Sequence, residues 1–254
     1  MKTIKKDMLQ AAIYPARSEM GLEAASAIAD SIRRVLETKP FCNIIFAAAP
    51  SQNEVLAALT ALAGSGETDF SRVNAFHMDE YIGLSPHAPQ SFANFLKSAL
   101  WNRASFHSVS CLDGNAVPEE ECLRYSRLLE ENPADITVMG IGENGHIAFN
   151  DPHNADFHDP HKVKVVTLDE VCRMQQVHDG CFRSLSEVPL QALTLTIPAL
   201  TAAKEIFCIV PAKSKASAVS RTLNNPVDES CPATILRHHS HARLYLDQDS
   251  ASLL

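Results

Sequence analysis

The sequence predicts an α/β protein built on a mainly parallel central sheet. Three observations carry this expectation. Short apolar runs rich in β-branched residues recur at Asn43–Ala47, Ile136–Met139 and Ile206–Val210. Runs of that length without polar alternation read as strands buried on both faces. Each leads into a turn of small residues or glycine: Ala48-Ala-Pro-Ser51, Gly140-Ile-Gly142 and Pro211-Ala-Lys-Ser214. Segments with apolar positions at helical spacing lie between the runs, as parallel strands require of their crossovers.

The elements follow in order. Residues Gly21–Leu36 place Ala25, Ile28, Ile32, Val35 and Leu36 on one helical face, with Ser18 as a candidate N-cap. Strand Asn43–Ala47 runs through its turn into a helix over Glu54–Ala63, and Gly64–Asp69 is a loop. Val73–Met78 reads as a strand ending in Asp79-Glu80-Tyr81. Helices are expected over Ser91–Trp101 and Glu119–Glu130, the second with Cys122, Tyr125 and Leu128 as its buried stripe. After strand Ile136–Met139 come a strand over Val163–Leu168 and a segment, Asp169–Phe182, that starts helically and breaks near Gly180. Leu193–Ile197 alternates as a strand, and Pro198 opens a short helix. Strand Ile206–Val210, helix Ala216–Leu223 and strand Leu244–Leu246 complete the chain. Nothing reads as a repeat, a low-complexity tract or a linker, so one domain over residues 1–254 is expected.

Composition narrows the class. An apolar fraction of 46% over 254 residues is enough for a sizeable core. A formal net charge of −8 argues against a general nucleic-acid binder. No apolar run approaches membrane-spanning length. The start, MKTIKKDMLQ, has lysines but no apolar stretch after them, so it does not read as a secretory signal. The seven cysteines include no C-x-x-C pair and are expected as reduced, largely buried thiols of a cytoplasmic protein.

The chemistry concentrates at Asp135–Pro152. A buried strand there ends in Gly140, Gly142 and Gly145, with His146 at the turn and Glu143, Asn144, Asn150 and Asp151 around it. Ligands of open α/β sheets bind beyond the carboxyl ends of the strands, which is where this turn falls. The formal G-x-G-x-x-G match is not a dinucleotide fingerprint, because it lies mid-chain and Pro152 follows closely. A hydrogen-bonded turn histidine is the bland account of His146; the glycines and polar neighbours favour a functional one. Ser51, Gln52 and Asn53 precede a helix, where free N–H groups either bind an anion or form a simple cap. Lys213 and Lys215 stand at a helix start, where the dipole disfavours a cation. An anionic ligand or solvent would account for them. Asp79 and Glu80 are either solvated loop acids or a base placed at the same sheet edge as His146. His153, His158 and His161 fall in a polar, proline-broken segment that matches no zinc spacing and reads as a mobile loop or lid.

Five stretches are similar to one known family. They are Phe76-His-Met-Asp-Glu-Tyr-Ile-Gly83, Gly140-Ile-Gly-Glu-Asn-Gly-His-Ile-Ala-Phe-Asn-Asp-Pro152, Ala192-Leu-Thr-Leu-Thr196, Lys215-Ala-Ser-Ala-Val219 and Cys231-Pro-Ala-Thr-Ile-Leu236. The chain resembles the glucosamine-6-phosphate deaminase/isomerase family, in the broader group that holds 6-phosphogluconolactonase. The first two stretches are the specific ones. The resemblance implies a modified Rossmann-like three-layer fold, a sugar phosphate as small-molecule ligand, and neither metal nor nicotinamide. It implies Asp79 as the base moving a proton between C2 and C1, and His146 as the ring-opening acid/base. Asn144 falls where many members have Asp, and Asp151 where Glu is usual; both touch the group that orients His146. Lys215 matches the phosphate lysine. Ala49-Pro-Ser-Gln52 replaces the usual Gly-Ser-Thr-Pro, leaving Ser51 and Gln52 as phosphate donors. The lid arginine has only Arg173 and Arg183 as candidates.

The reaction follows from the residue types. Histidine, with its near-neutral acidity, suits the proton shuttle of ring opening. A carboxylate then carries the proton from C2 to C1, giving a ketimine whose hydrolysis releases ammonia. Backbone N–H groups of the glycine turn, Gly142 and Gly145 included, are expected to stabilise a developing oxyanion. The expected activity is conversion of glucosamine 6-phosphate to fructose 6-phosphate and ammonia. The alternatives are a lactone hydrolase and a sugar-phosphate-binding regulator without turnover. A homo-oligomer is compatible with the sequence.

Overall fold

The computed structural model of the protein spans residues 1–254. It opens with a hairpin that the sequence did not announce, β1 (Lys2–Lys6) and β2 (Leu9–Tyr14), paired antiparallel with Ile4 opposite Ala11. Its turn uses Asp7 at a φ of 52° rather than the Asn-Gly or Asp-Gly that signals a tight hairpin. Helix α1 (Arg17–Thr38) follows, starting earlier than expected. Ala16 is its N-cap and no side chain, Ser18 included, caps it. Strand β3 (Cys42–Phe46) is buried along its whole length, and helix α2 (Asn53–Gly64) follows the turn at Pro50–Gln52.

Strand β4 (Val73–His77) holds the next surprise. The chain leaves the main sheet at Met78 and begins a new strand, β5 (Asp79–Tyr81), all of it buried. Asp79 and Glu80 are therefore not solvated loop acids. Helix α3 (Phe92–Leu96) is short because the chain passes at Lys97 into a π-helical turn ending at Trp101; Ser91 caps it. After β6 (Ser108–Ser110), helix α4 (Pro118–Glu131) buries Glu121, Tyr125 and Leu129 at four-residue steps. The expected Cys122 and Leu128 flank that stripe, half-buried. Tyr125 was placed correctly, and its hydroxyl serves β4, accepting from His77 N at 3.1 Å and lying 3.0 Å from His77 O.

Strand β7 (Ile136–Met139) is followed by β8 (Val163–Thr167), helix α5 (Glu170–His178) and β9 (Gln191–Leu195). The β9 strand ends two residues before the expected Ile197, because Thr196 is the N-cap of helix α6 (Ile197–Thr201) and accepts from Ala199 N. Strand β10 (Glu205–Val210), helix α7 (Ala216–Asn224) and strand β11 (Ala242–Asp247) finish the fold.

The large sheet has the order β1-β2-β11-β10-β7-β3-β4-β6, parallel at every pairing except β1–β2. Strands β5, β9 and β8 make a second, antiparallel sheet, with Asp79 opposite Thr194. Side chains alternate across the large sheet and split the core. Ile44 and Phe46 join Met20, Ile28, Val55 and Leu59 of α1 and α2. Ile45 faces the other way, with Tyr125, Leu129 and Leu223 of α4 and α7. Three layers result, as a sheet with two apolar faces demands. Each of these isoleucines is at most 1% exposed, worth about 1.5–3 kcal/mol apiece for the burial. No helix is long and apolar enough to cross a membrane. All seven cysteines are free, four of them buried.

Candidate active site

Four adjacent parallel strands, β10, β7, β3 and β4, end at one edge, and a cleft of about 780 Å³, open to solvent, lies beyond it. Each strand supplies part of the wall. The turn after β3 brings Ser51, the switch after β4 brings Asp79, the turn after β7 brings Gly142 and His146, and the turn after β10 brings Lys215. This is the position where open α/β sheets bind ligands. The two residues on which the sequence argument depends, Asp79 and His146, thus face the same cavity.

His146 is 7% exposed. Its Nδ1 lies 2.9 Å from Asp151 Oδ1, close enough for an ion pair but not aligned as a hydrogen bond. The same oxygen accepts from Asn144 Nδ2 at 2.8 Å, and Asn144 Oδ1 accepts from His146 N at 3.0 Å. Asn144 therefore ties backbone and carboxylate together around the ring. Burial pushes the Asp151 carboxyl up, but the charge of His146 and the nearby donor groups of His146, Asn144 and Cys172 outweigh it, holding the group below its ordinary value. Nε2 of His146 makes no hydrogen bond and stays open to the cleft.

Asp79 makes no side-chain hydrogen bond. Burial, and secondarily the charge of Glu80, drive its carboxyl well above its ordinary value. Glu80 points away to the start of α3, accepting from Ser91 Oγ at 2.7 Å, Ala93 N at 3.0 Å, Phe92 N at 3.1 Å and Tyr81 N at 3.0 Å. Adjacent strand residues face opposite sides. One carboxylate is therefore spent on structure and the other is left unpartnered at the cleft.

The anion side is built on Lys215, 5% exposed and without a carboxylate within ion-pair reach. Desolvation lowers its pKa, partly opposed by Asp179, Glu143 and Cys172. Lys213 is exposed. The turn before Lys215 is fixed at Ala212, whose φ is 83° and whose N–H donates to Asp247 at 3.1 Å. Ser51 lines the cleft, whereas Gln52 sits behind it. The Gln52 amide nitrogen donates to Ser51 Oγ at 3.0 Å and Ile209 O at 3.2 Å, bracing the turn.

Several expectations need correction. In the glycine turn, Gly142 N donates to His146 O, Gly145 N to Gly142 O, and Glu143 N to Gln175 Oε1. Gly142 and Gly145 are thereby not available as oxyanion donors as the turn stands, whereas the N–H groups of Gly140, Ile141 and Asn144 have no hydrogen-bond partner. Gly145 does not reach the cleft; its φ is 92°, and a Cβ there would meet Cys231 Sγ at 2.6 Å. Neither Arg173 nor Arg183 lines the cleft. Arg173 donates to Leu185 O and Val188 O. His153, His158 and His161 are exposed and form no common cluster. The wall facing the sheet edge is instead α5, through Gln175, Gln176 and the adjoining Asp179.

Arg17 was missed. It lines the cleft from the first turn of α1, donates to Pro50 O and lies 2.7 Å from Glu54 Oε1. The signal was available: a cation at a helix start, the argument that singled out Lys215. Gln175 and Gln176 carried no comparable signal.

A family model described as glucosamine-6-phosphate isomerases/6-phosphogluconolactonase matches residues 15–246. The chain belongs to this family. A glucosamine-6-phosphate deaminase of Lactobacillus delbrueckii subsp. bulgaricus is 37% identical over 193 residues, 75% of this chain and 80% of that protein. One from Listeria monocytogenes is 34% identical over 189 residues, 74% of this chain and 79% of that protein. A solved monomeric glucosamine-6-phosphate deaminase superposes with a TM-score of 0.88 at 30% identity, covering 96% of this chain and 99% of that one. The 6-phosphogluconolactonase of Thermotoga maritima, at 18% identity, 93% and 99% coverage and a TM-score of 0.75, shares the fold. Membership of this isomerase and deaminase family supports, in general terms, an activity of that kind on an amino-sugar phosphate.

Proposed function

We propose that this protein is a deaminating isomerase that converts glucosamine 6-phosphate to fructose 6-phosphate and ammonia. The observation that carries the proposal is the shared cleft of Asp79, His146 and Lys215. The buried ammonium of Lys215, with Ser51, holds the phosphate, and that binding energy aligns the reacting carbons. His146 Nε2 takes the proton of the anomeric hydroxyl and returns it to the ring oxygen, opening the ring. Asp151 balances the imidazolium formed in between, and Asn144 holds Asp151 in place. Asp79 removes the proton from C2 and delivers it to C1. Its raised basicity suits a weak carbon acid. The resulting C2 ketimine is hydrolysed by water, which leaves the ketose phosphate and ammonia.

The test is a coupled assay with purified protein. Ammonia and fructose 6-phosphate formed in equal amounts from glucosamine 6-phosphate support the proposal. Acid release from 6-phosphogluconolactone in their place assigns a hydrolase in which His146 activates water. Binding of the amino-sugar phosphate without turnover assigns a regulator.

A further inference from the structure

Behind the cleft, His146, Asp151 and Cys172 bring an imidazole nitrogen, a carboxylate oxygen and a thiol within 4.8 Å of one another, all three side chains buried. Two atoms of this group lack any hydrogen-bond partner, His146 Nδ1 and Asp151 Oδ2. The Asp151 side chain is 0% exposed and that of His146 9%. His146 Nδ1 has the Asp151 Oδ1 contact at 2.9 Å but no aligned hydrogen bond, and Asp151 Oδ2 has none; buried polar atoms left so cost free energy, and their convergence on a thiol offers a ligand set. Cys172 does not line the cleft.

We propose that His146 Nδ1, Asp151 Oδ2 and Cys172 Sγ form a binding site for a thiophilic divalent cation, zinc above all, and that its occupation switches the enzyme off. One nitrogen, one sulfur and one oxygen are the mixed donor set zinc accepts, with a fourth position left to water. Tetrahedral zinc with ordinary bond lengths places its ligand atoms about 3.3–3.6 Å apart, so closing the group onto the ion needs shifts of about 1 Å. Asp151 Oδ1 keeps its bond from Asn144 while Oδ2 takes the metal. Binding converts the thiol to a thiolate and releases its proton to solvent; no oxidation state changes.

The inhibition rests on the ring-opening role proposed for His146, whereas the binding rests on geometry alone. A cation on Nδ1 withdraws density from the ring, and Nε2 loses the basicity a proton shuttle needs. It also takes the Asp151 charge that would balance an imidazolium. Hard cations such as magnesium lack affinity for the thiol and are expected to do nothing.

The experiment keeps the two parts apart. Cobalt(II) is titrated into the wild-type protein and into Cys172→Ser, and zinc inhibition of turnover is measured on both. Expected results are a thiolate-to-cobalt charge-transfer band at one ion per chain in the wild type alone, reversed by EDTA. Zinc inhibition should weaken by about tenfold or more in Cys172→Ser, with uninhibited turnover retained. The absence of the cobalt band in the wild type, or a band and zinc sensitivity equal in both proteins, overturns the site, whether or not the enzyme deaminates. A band without zinc inhibition keeps the site and overturns the switch. Cys172→Ala serves if the serine variant does not fold, and the wild-type titration decides without either.

Discussion

Substitution of Gly142 by alanine separates the chemistry of this site from its stability. A Cβ at position 142 would lie 2.2 Å from both Cε1 and Nε2 of His146 and 2.5 Å from its Cδ2. Unstrained carbon contacts sit at about 3.5–4.0 Å, so the ring must retreat by more than about 1 Å. It cannot retreat toward Asp151, whose Oδ1 is already 2.9 Å from Nδ1. A misplacement of about 1 Å in a reacting group costs about 10²-fold in rate. Forcing a methyl group into a packed site costs about 1–3 kcal/mol, or a fall of about 2–12 °C in Tm for a chain of this size. The assay is initial-rate ammonia release, with kcat and KM resolved, alongside thermal unfolding. The expectation is a kcat about 100-fold lower with KM little changed, because Lys215 and Ser51 are untouched. Gly64→Ala is the control, since a Cβ there meets nothing within 4 Å and turnover should stay normal. A folded Gly142→Ala protein with kcat within about threefold of wild type would show that the ring position is not what turnover depends on.

Four further outcomes follow from the same geometry. Asp79→Asn should lower kcat by about 10²–10⁴-fold, the usual share of a general base, while calorimetric binding of the sugar phosphate persists. Because burial raises the Asp79 pKa, the ionised form burdens the folded state at neutral pH. Asp79→Asn should therefore raise Tm there, with the gain shrinking as pH falls from the raised folded-state value toward the ordinary carboxylate range and absent below it. Asp151→Asn should do the opposite. The folded-state pKa of Asp151 is depressed, so its contribution to stability is present above its unfolded value and lost as pH falls through the lower folded one; equal melting of variant and wild type at pH 7 would contradict this. Lys215→Met removes a charge-assisted contact worth about 1.5–3 kcal/mol, a loss of about 10- to 150-fold in kcat/KM. Since desolvation lowers the Lys215 pKa, KM should begin to climb at a lower pH than an ordinary lysine would give, and Lys215→Arg should abolish that climb.

What could be read from the sequence, and what could not, divides along a physical line. Strands β3, β7 and β10 are buried on both faces, and burial on both faces writes an unbroken apolar run. Hairpin β1–β2 at the sheet edge has an exposed, lysine-rich first strand and a turn without glycine, so neither composition nor turn chemistry marks it. The sequence points to the glycines of the central turn as N–H donors to a ligand, but two of them are there to make room for the chain itself. Gly142 makes room for the chain's own imidazole and Gly145 for Cys231. A sequence records that space is needed without recording what fills it.

The acids after β4 make the same point more sharply. As a continuation of a parallel strand, Asp79 and Glu80 had no means of burial, and solvation was the natural expectation. The chain instead changes sheets at Met78, whose carbonyl accepts from Leu195 N at 2.8 Å, and Asp79 pairs with Thr194 of the second sheet. That switch is a non-local event, set by a strand more than a hundred residues downstream, and no local pattern encodes it. Its consequence is functional. Two-residue periodicity now sends Glu80 to cap α3 and leaves Asp79 alone in a low-dielectric wall, where a carboxylate gains basicity. A substitution that breaks the β5–β9 pairing without touching either acid, such as Leu195→Pro, removes the ladder donor to Met78 O from a buried strand and should release Asp79 to solvent. Activity should then be lost although every catalytic side chain is still present.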